Sequence, residues 1–381
     1  LDFAWTDEQR DFRNEVIRFA KSELDPNVVD RDLNEEFDWE GWRKCAKFGI
    51  QGLPISQEYG GGEADILTTA GALEALGYGC RDNGLIFSIN AHMWSSEIPI
   101  ATFGTPEQKK KYLPKLVSGE WVGVHAMTEP GSGSDAYAMR TRAEKRGHCW
   151  VINGSKTFIT NAQYAEMVIV FANVDPERGP NGITGFIVDK GTPGFTISKK
   201  LHKMGLRTSP MAELAFVDCE VPEENILGKI GGGPAIFTAS MEWERICILA
   251  SHLGAMQRML EISIKYAKER TQFGQPIGQF PAIANKIAEM DIRLETARLV
   301  LYRAAWLKSQ GRHPLREAAI AKSYVSDACI QTALDAIQIH GGYGYMTEYQ
   351  IERELRDAIS GKIYSGTSEI QKKIIAGYHG L

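Results

Sequence analysis

The order of textures along this chain constrains its fold more than any single motif. Up to about residue 120 apolar residues recur at helical spacing. From 121 to 230 they gather in short β-type runs, and from Gly231 helical periodicity returns almost to Leu381. In the first block Thr6 reads as an N-cap, Gln9 completes a capping box, and Asp7 and Glu8 suit the positive end of the helix dipole. Phe12, Val16 and Phe19 follow at helical spacing until Asp25-Pro26 stops the run, and further helices are expected over Trp39–Phe48, Ile66–Gly77 and Thr105–Val117. The β-type runs are Trp121–Met127, Cys149–Ile152, Met167–Ala172, Gly185–Val188 and Leu214–Val217. Asn153-Gly154, Gly179-Pro180, Asn181-Gly182 and Pro193-Gly194 separate them as turns. No helix-length pattern lies between the runs, which predicts an antiparallel barrel or sandwich. The expected fold is α+β: an N-terminal helical domain (1–120), a middle β domain (121–230) and a C-terminal helical bundle (231–381) of four-helix type.

A length of 381 residues accommodates that many domains. With 43 basic and 48 acidic residues the surface gives no general attraction to nucleic acid or anionic membrane. The six cysteines show no CxxC, and the two nearest histidines, His125 and His148, are 23 residues apart, so no sequence-local metal site is expected. No apolar run approaches the roughly 18–20 residues of a membrane span. The start, from Leu1 to Trp5, lacks the basic region of a signal peptide. The expected location is cytoplasmic, or a matrix after removal of a leader.

Chemistry concentrates on residues 241–267. On a helical wheel Ile246, Leu249, Leu253, Met256, Leu260 and Ile264 form one apolar stripe. Glu244, Ile248, Ser251, Ala255, Met259, Ile262 and Tyr266 lie roughly opposite, so the helix should be central in a bundle. Glu244 thus sits on a face that leaves water, where desolvation raises a carboxyl pKa toward the range of a general base. The bland alternative puts Glu244 at a solvent-exposed helix start, paired with Arg245. Trp243 and Arg245 either exclude water and hold a ligand, or pack and pair at the surface. Gly131-Ser132-Gly133-Ser134-Asp135-Ala136 loosely fits a dinucleotide turn, but no βαβ unit surrounds it, which excludes a Rossmann site.

Five segments, in order, resemble the acyl-CoA dehydrogenase family along essentially the whole chain: Met127–Asp135, Asn153–Asn161, Glu269–Gly274, Gln338–Gly342 and Tyr364–Gln371. The resemblance implies FAD, a homotetramer, an acyl thioester substrate on coenzyme A or a carrier protein, and an electron-transfer flavoprotein or oxygen as acceptor. By the family pattern Met127, Thr128 and Ser134 line the flavin or the thioester arm, Phe158 covers the ring and Thr160 bonds its reactive edge. Arg270, Gln272 and Phe273 match contacts to a neighbouring subunit's FAD. Gln338, Gly341 and Gly342 match its diphosphate side, and Thr367 and Glu369 close over it. Ser134, Trp243, Arg245, Ser365 and Gly366 fall where substrate is met.

Two departures carry information. Ser365 stands where many members have the catalytic Glu, whereas Glu244-Arg245 matches the earlier-helix base of isovaleryl-CoA and long-chain enzymes. Pro281 stands where a Gln commonly touches the flavin. The expected reaction is α-proton removal by Glu244 with hydride transfer to flavin, on a short, branched or cyclic acyl group. The alternatives are oxidation of a carrier-bound prolyl group, a flavin oxidase or monooxygenase on the same scaffold, and a non-catalytic FAD-binding protein.

Overall fold

The computed structural model describes residues 5–24 and 26–381. Leu1–Ala4 and Asp25 lie outside the described residues. The N-terminal block contains α1 (Asp7–Glu23), α2 (Val28–Asn34), α3 (Trp39–Phe48), α4 (Ile66–Gly79), α5 (Asn83–His92), a π-helical turn (Met93–Glu97), α6 (Ile98–Phe103) and α7 (Pro106–Val117). Local chemistry sets several ends. Thr6 and Gln9 close the expected capping box, Asp38 caps α3 at Gly41 N–H, and Gly49 ends α3 in the left-handed region.

The middle block holds β1 (Val122–Ala126), β2 (Arg142–Arg146), β3 (Cys149–Thr160), β4 (Ala165–Asn173), β5 (Ile183–Asp189), β6 (Phe195–Lys200), β7 (Met211–Pro222) and β8 (Ile226–Leu227). They form one eight-stranded sheet along the path β6-β7-β3-β2-β4-β5-β8, with β1 on β4. This path has two free ends, so hydrogen bonding does not close it into a barrel. It is also mixed rather than purely antiparallel, because β1 runs parallel to β4 from Val122↔Ala165 to Ala126↔Val170. The helical block holds β1 in place: Gly123 N–H donates to His92 Nδ1 at 3.0 Å, and Ser96 packs on Gly123. Asn153-Gly154 is not a turn. It lies inside β3 at a register shift against β7.

The last block is α8 (Gly233–Glu269), a hairpin of β9 (Thr271–Gln272) and β10 (Gln275–Pro276), α9 (Pro281–Ser309), α10 (Leu315–His340), α11 (Ile351–Ile359) and α12 (Ser368–Gly377). Helices α8, α9 and α10 pack on one another, and α11 and α12 lie against α10. Pro281 is the first residue of α9, where a missing N–H costs nothing.

Helix α8 is the axis of the molecule. Ile246, Leu249, Leu253, Met256 and Leu260 are buried on one face, and Ile248, Ala255 and Met259 on the other. Helix α4 crosses it at glycines: a Cβ on Gly77 would sit 2.1 Å from Ser251 O, and one on Gly254 2.1 Å from Glu74 O. Beside this crossing the buried Glu74 carboxylate accepts from Arg298 at 2.9 and 3.0 Å and from Tyr302 at 2.6 Å, tying α4 to α9. Among the described residues no helix is long and apolar enough to cross a membrane.

Candidate active site

Helix α8 begins at Gly233, so Glu244 lies about three turns inside it rather than at its start. The solvent-exposed alternative is thereby removed. Glu244 is half-buried, and the Ser365 hydroxyl donates to its Oε1. Burial pushes its pKa up, against the lowering effects of the Ser365 hydrogen bond and of Arg245 and Lys322. A carboxylate in that balance holds or releases a proton near neutrality more readily than an exposed one.

Arg245 is buried and its Nε donates to Ser365 O at 3.2 Å. Gln371 Nε2 donates to Ser365 O at 3.2 Å and to Gly366 O at 2.9 Å. These three bonds fix a turn that the backbone resists, since Ser365 (φ 55°) and Gly366 (φ 87°) are both left-handed. Thr367 then caps α12 by accepting from Ile370 N–H, and Glu369 is exposed in its first turn. Behind the turn Tyr364 Oη and His252 Nε2 are 3.2 Å apart. Trp243 faces the other way: it stacks on Trp94 at 5.6 Å and lies under the Lys308 ammonium at 5.6 Å.

The β-domain residues form a second group. Thr157 N–H donates to Thr128 O at 2.9 Å, and Lys156 Nζ donates to Met127 O at 3.1 Å, so the loop after β1 is bound to the end of β3. There a second register shift breaks the strand between Lys156 and Ile159. Phe158 is left with φ 58° and 62% exposure, beside a half-buried Thr160. Ser134 is exposed on the Gly131–Ala136 loop, where a Cβ on Gly131 or Gly133 would meet nothing within 4 Å. Tyr137, which the sequence did not point to, links this loop to α8. Its ring lies 6.4 Å from that of Phe237, and its phenol interacts electrostatically with Arg245.

The third group lies apart. Arg270 sits 5.7 Å over the Tyr343 ring, which brings the β9–β10 hairpin, with Gln272 and Phe273, to the end of α10, where Gln338 lies in the last helical turn and Gly341 and Gly342 just beyond it. Phe273 is 94% exposed at the hairpin tip. No hydrogen bond, ion pair or ring contact among the described residues joins this group to Glu244. Several basic residues outside these groups are paired: Lys111 with Asp189, Lys145 with Glu223, and Lys200 and His202 with Glu35. Sequence reading also missed Lys322 and assigned no role to Gln371, although Gln371 closes one of its motifs.

Comparison with known proteins agrees with this arrangement block by block. The chain matches the N-terminal domain of acyl-CoA dehydrogenase over residues 6–120, the middle domain over 125–219 and the C-terminal domain over 231–378. An acyl-CoA dehydrogenase of Bacillus subtilis (strain 168) is 44% identical over 98% of this chain and 98% of its own length. The crystal structure of the prolyl acyl carrier protein oxidase AnaB superposes with a TM-score of 0.98 at 51% identity, covering 99% of this chain and all of that one. PigA with FAD and proline gives 0.98 at 40% identity over the whole of both chains. With three domain matches in order and near-complete coverage of each relative, the chain belongs to the acyl-CoA dehydrogenase family.

Proposed function

We propose that this protein is an FAD-dependent dehydrogenase of an acyl thioester, acting on a prolyl group carried by a carrier protein, with Glu244 as the base. The Ser365 hydroxyl on a half-buried Glu244 is the observation that carries the reading. The likeness to AnaB and PigA over the whole chain favours the prolyl substrate over a coenzyme A ester. The coenzyme A reading is the second one, supported by the 44% identical Bacillus relative.

The residues fit a flat cofactor. An exposed Phe158 in left-handed backbone is costly unless something covers it, and Thr160 beside it makes no side-chain hydrogen bond among the described residues. Met127, Thr128, Ser134, Phe158 and Thr160 would hold the ring end. Gln338, Gly341 and Gly342, with Arg270, Gln272 and Phe273 of a neighbouring copy in a homotetramer, would hold the diphosphate and adenosine end. Thr367 and Glu369 would close over it. When bound, FAD supplies a two-electron acceptor for a hydride from the group being oxidised.

The chain's own residues do the rest. Glu244 takes the proton from the carbon next to the thioester carbonyl, through the oxygen that Ser365 leaves free. The Ser365 N–H donates to no backbone carbonyl and so is available to the thioester oxygen, where such a donor is worth roughly 3–4 kcal/mol to a developing enolate. Arg245 holds Ser365 in place, and the small Ser365 side chain leaves room for a ring. An electron-transfer flavoprotein or oxygen serves as acceptor, and the three domains are 1–120, 121–230 and 231–381.

Anaerobic flavin bleaching tests the reading. A prolyl-loaded carrier protein is expected to bleach the flavin, and isovaleryl-CoA and butyryl-CoA far more slowly. Fast bleaching by a coenzyme A ester alone selects the second reading. Glu244→Gln should retain FAD and lose bleaching by roughly 10²–10⁴-fold. Undiminished bleaching in that variant would refute the base assignment.

A further inference from the structure

Lys322 is a lysine that packing alone does not explain. It lies on α10 with no solvent-exposed surface, and its Nζ makes no hydrogen bond. An unpartnered ammonium in that position costs stability, and an apolar side chain of similar length would fill the space more cheaply. One turn further along α10, Ser326 packs on Gly361, whose other neighbours are His252 and Tyr364. Lys322 therefore sits on the stretch of α10 that backs the Ser365 turn and α8.

The charged groups that act on it come from three helices: in order of effect, Arg245 on α8, Glu369 on α12, Asp327 on α10 itself and Glu244 on α8. Asp327 is already paired with Lys362 at 2.6 Å, and Glu369 is exposed. Beside Gly361, Tyr364 and His252 bond each other. Burial holds Tyr364 protonated and His252 neutral, so neither adds charge at pH 7. Among the described residues, Glu244 is thus the shielded carboxylate acting on Lys322 that holds no ion pair of its own.

We infer that Lys322 is a positioning residue for Glu244, a buried cation left without an acceptor so that its field favours the ionised, proton-accepting carboxylate. The inference rests on the reading of Glu244 as the base. Burial and Arg245 pull the Lys322 pKa down to about 8, which still leaves the amine charged at neutral pH. Arg245 has the larger lowering effect on Glu244, and Lys322 adds to it.

The test uses the FAD-loaded protein and two readouts. The first is the protonated-carboxyl infrared band that is absent in Glu244→Gln, followed against pH. The second is the acid limb of substrate-driven bleaching. Lys322→Met and Lys322→Gln are both expected to move the infrared midpoint and the acid limb upward by about one pH unit. Lys322→Arg should restore both, and the neutral variants should unfold at no lower temperature than the parent. A merely structural lysine would shift the unfolding temperature alone. If both neutral variants keep the midpoint within about 0.2 unit while Glu244→Gln abolishes bleaching, the role of Lys322 is overturned and the base reading stands. If Glu244→Gln bleaches at full rate, the base reading falls, and the infrared midpoint alone decides whether Lys322 acts on Glu244.

Discussion

Ser365 shows how a hydroxyl can tune a carboxylate on helix α8. Its hydroxyl donates to Glu244 Oε1, and a hydrogen bond to the charged form lowers a carboxyl pKa. Burial works the other way and is the larger effect. Ser365→Ala removes the lowering part, so the Glu244 pKa should rise further. The acid limb of activity then moves to higher pH by roughly one to two units, for a hydrogen bond to a charged group worth about 1.5–3 kcal/mol. A pH profile of bleaching from 5 to 8 checks this, and an unchanged limb would mean that the hydroxyl does not engage the carboxylate in solution. Glu244 itself was legible because an acid on an apolar helical stripe is an anomaly that sequence spacing exposes. Lys322 was not. It follows Ala318, Ala319 and Ala321 on a helix whose solvent face cannot be told from spacing, so nothing marks it as buried.

At the scale of elements, a buried ion pair joins the loop after β1 to β3. Lys156, with no exposed surface, donates to Glu129 Oε1 at 2.9 Å, while Glu129 also accepts from the Arg140 and Thr141 N–H groups at 2.6 and 2.9 Å. Burial pulls the Lys156 pKa down to about 8, while Glu129, facing three donors, stays below its usual range. Lys156→Met strands Glu129 and should cost about 3–5 kcal/mol, seen as a lower thermal midpoint. Adding Glu129→Gln should recover part of that loss, and the absence of any recovery would show that the pair is not the connection.

The same region shows where sequence patterning stops. Helix α3 matches its expected span, Trp39–Phe48, because a capping Asp and a terminating Gly bound it. Strand β2, Arg142-Ala143-Glu144-Lys145-Arg146, has one buried residue and no alternation to read. The parallel β1–β4 pairing is decided by His92 and Ser96, which are distant in sequence. The π-helical turn that presents them carries no signal in composition.

For the whole molecule, the most informative residue is the one that gains least from the single chain. Phe273 and Gly274 are the two central residues of the β9–β10 hairpin, with φ of 51° and 79°, the pattern of a type I′ turn. Asn or Gly is favoured at the first of these positions, and an aromatic there pays for left-handed backbone with little packing in return, since Phe273 meets the Phe280 ring edge-on at 6.0 Å and is still 94% exposed. Tyr345, 75% exposed, lies in the turn after α10 that Arg270 brings against the hairpin. The homotetramer proposed above would account for the choice by covering Phe273. Phe273→Asn separates the two effects, because it should leave the fold of the chain unchanged or slightly stabilised while weakening assembly. Burying one Phe is worth roughly 1.5–3 kcal/mol, so assembly should weaken about 10- to 100-fold per contact. Sedimentation velocity against concentration, with flavin absorbance per subunit, reads both assembly and FAD retention. A variant that sediments as the parent does and keeps its full flavin would place Phe273 outside any subunit contact. The third group of residues would then have to act within one chain, although none of them touches the cluster around Glu244.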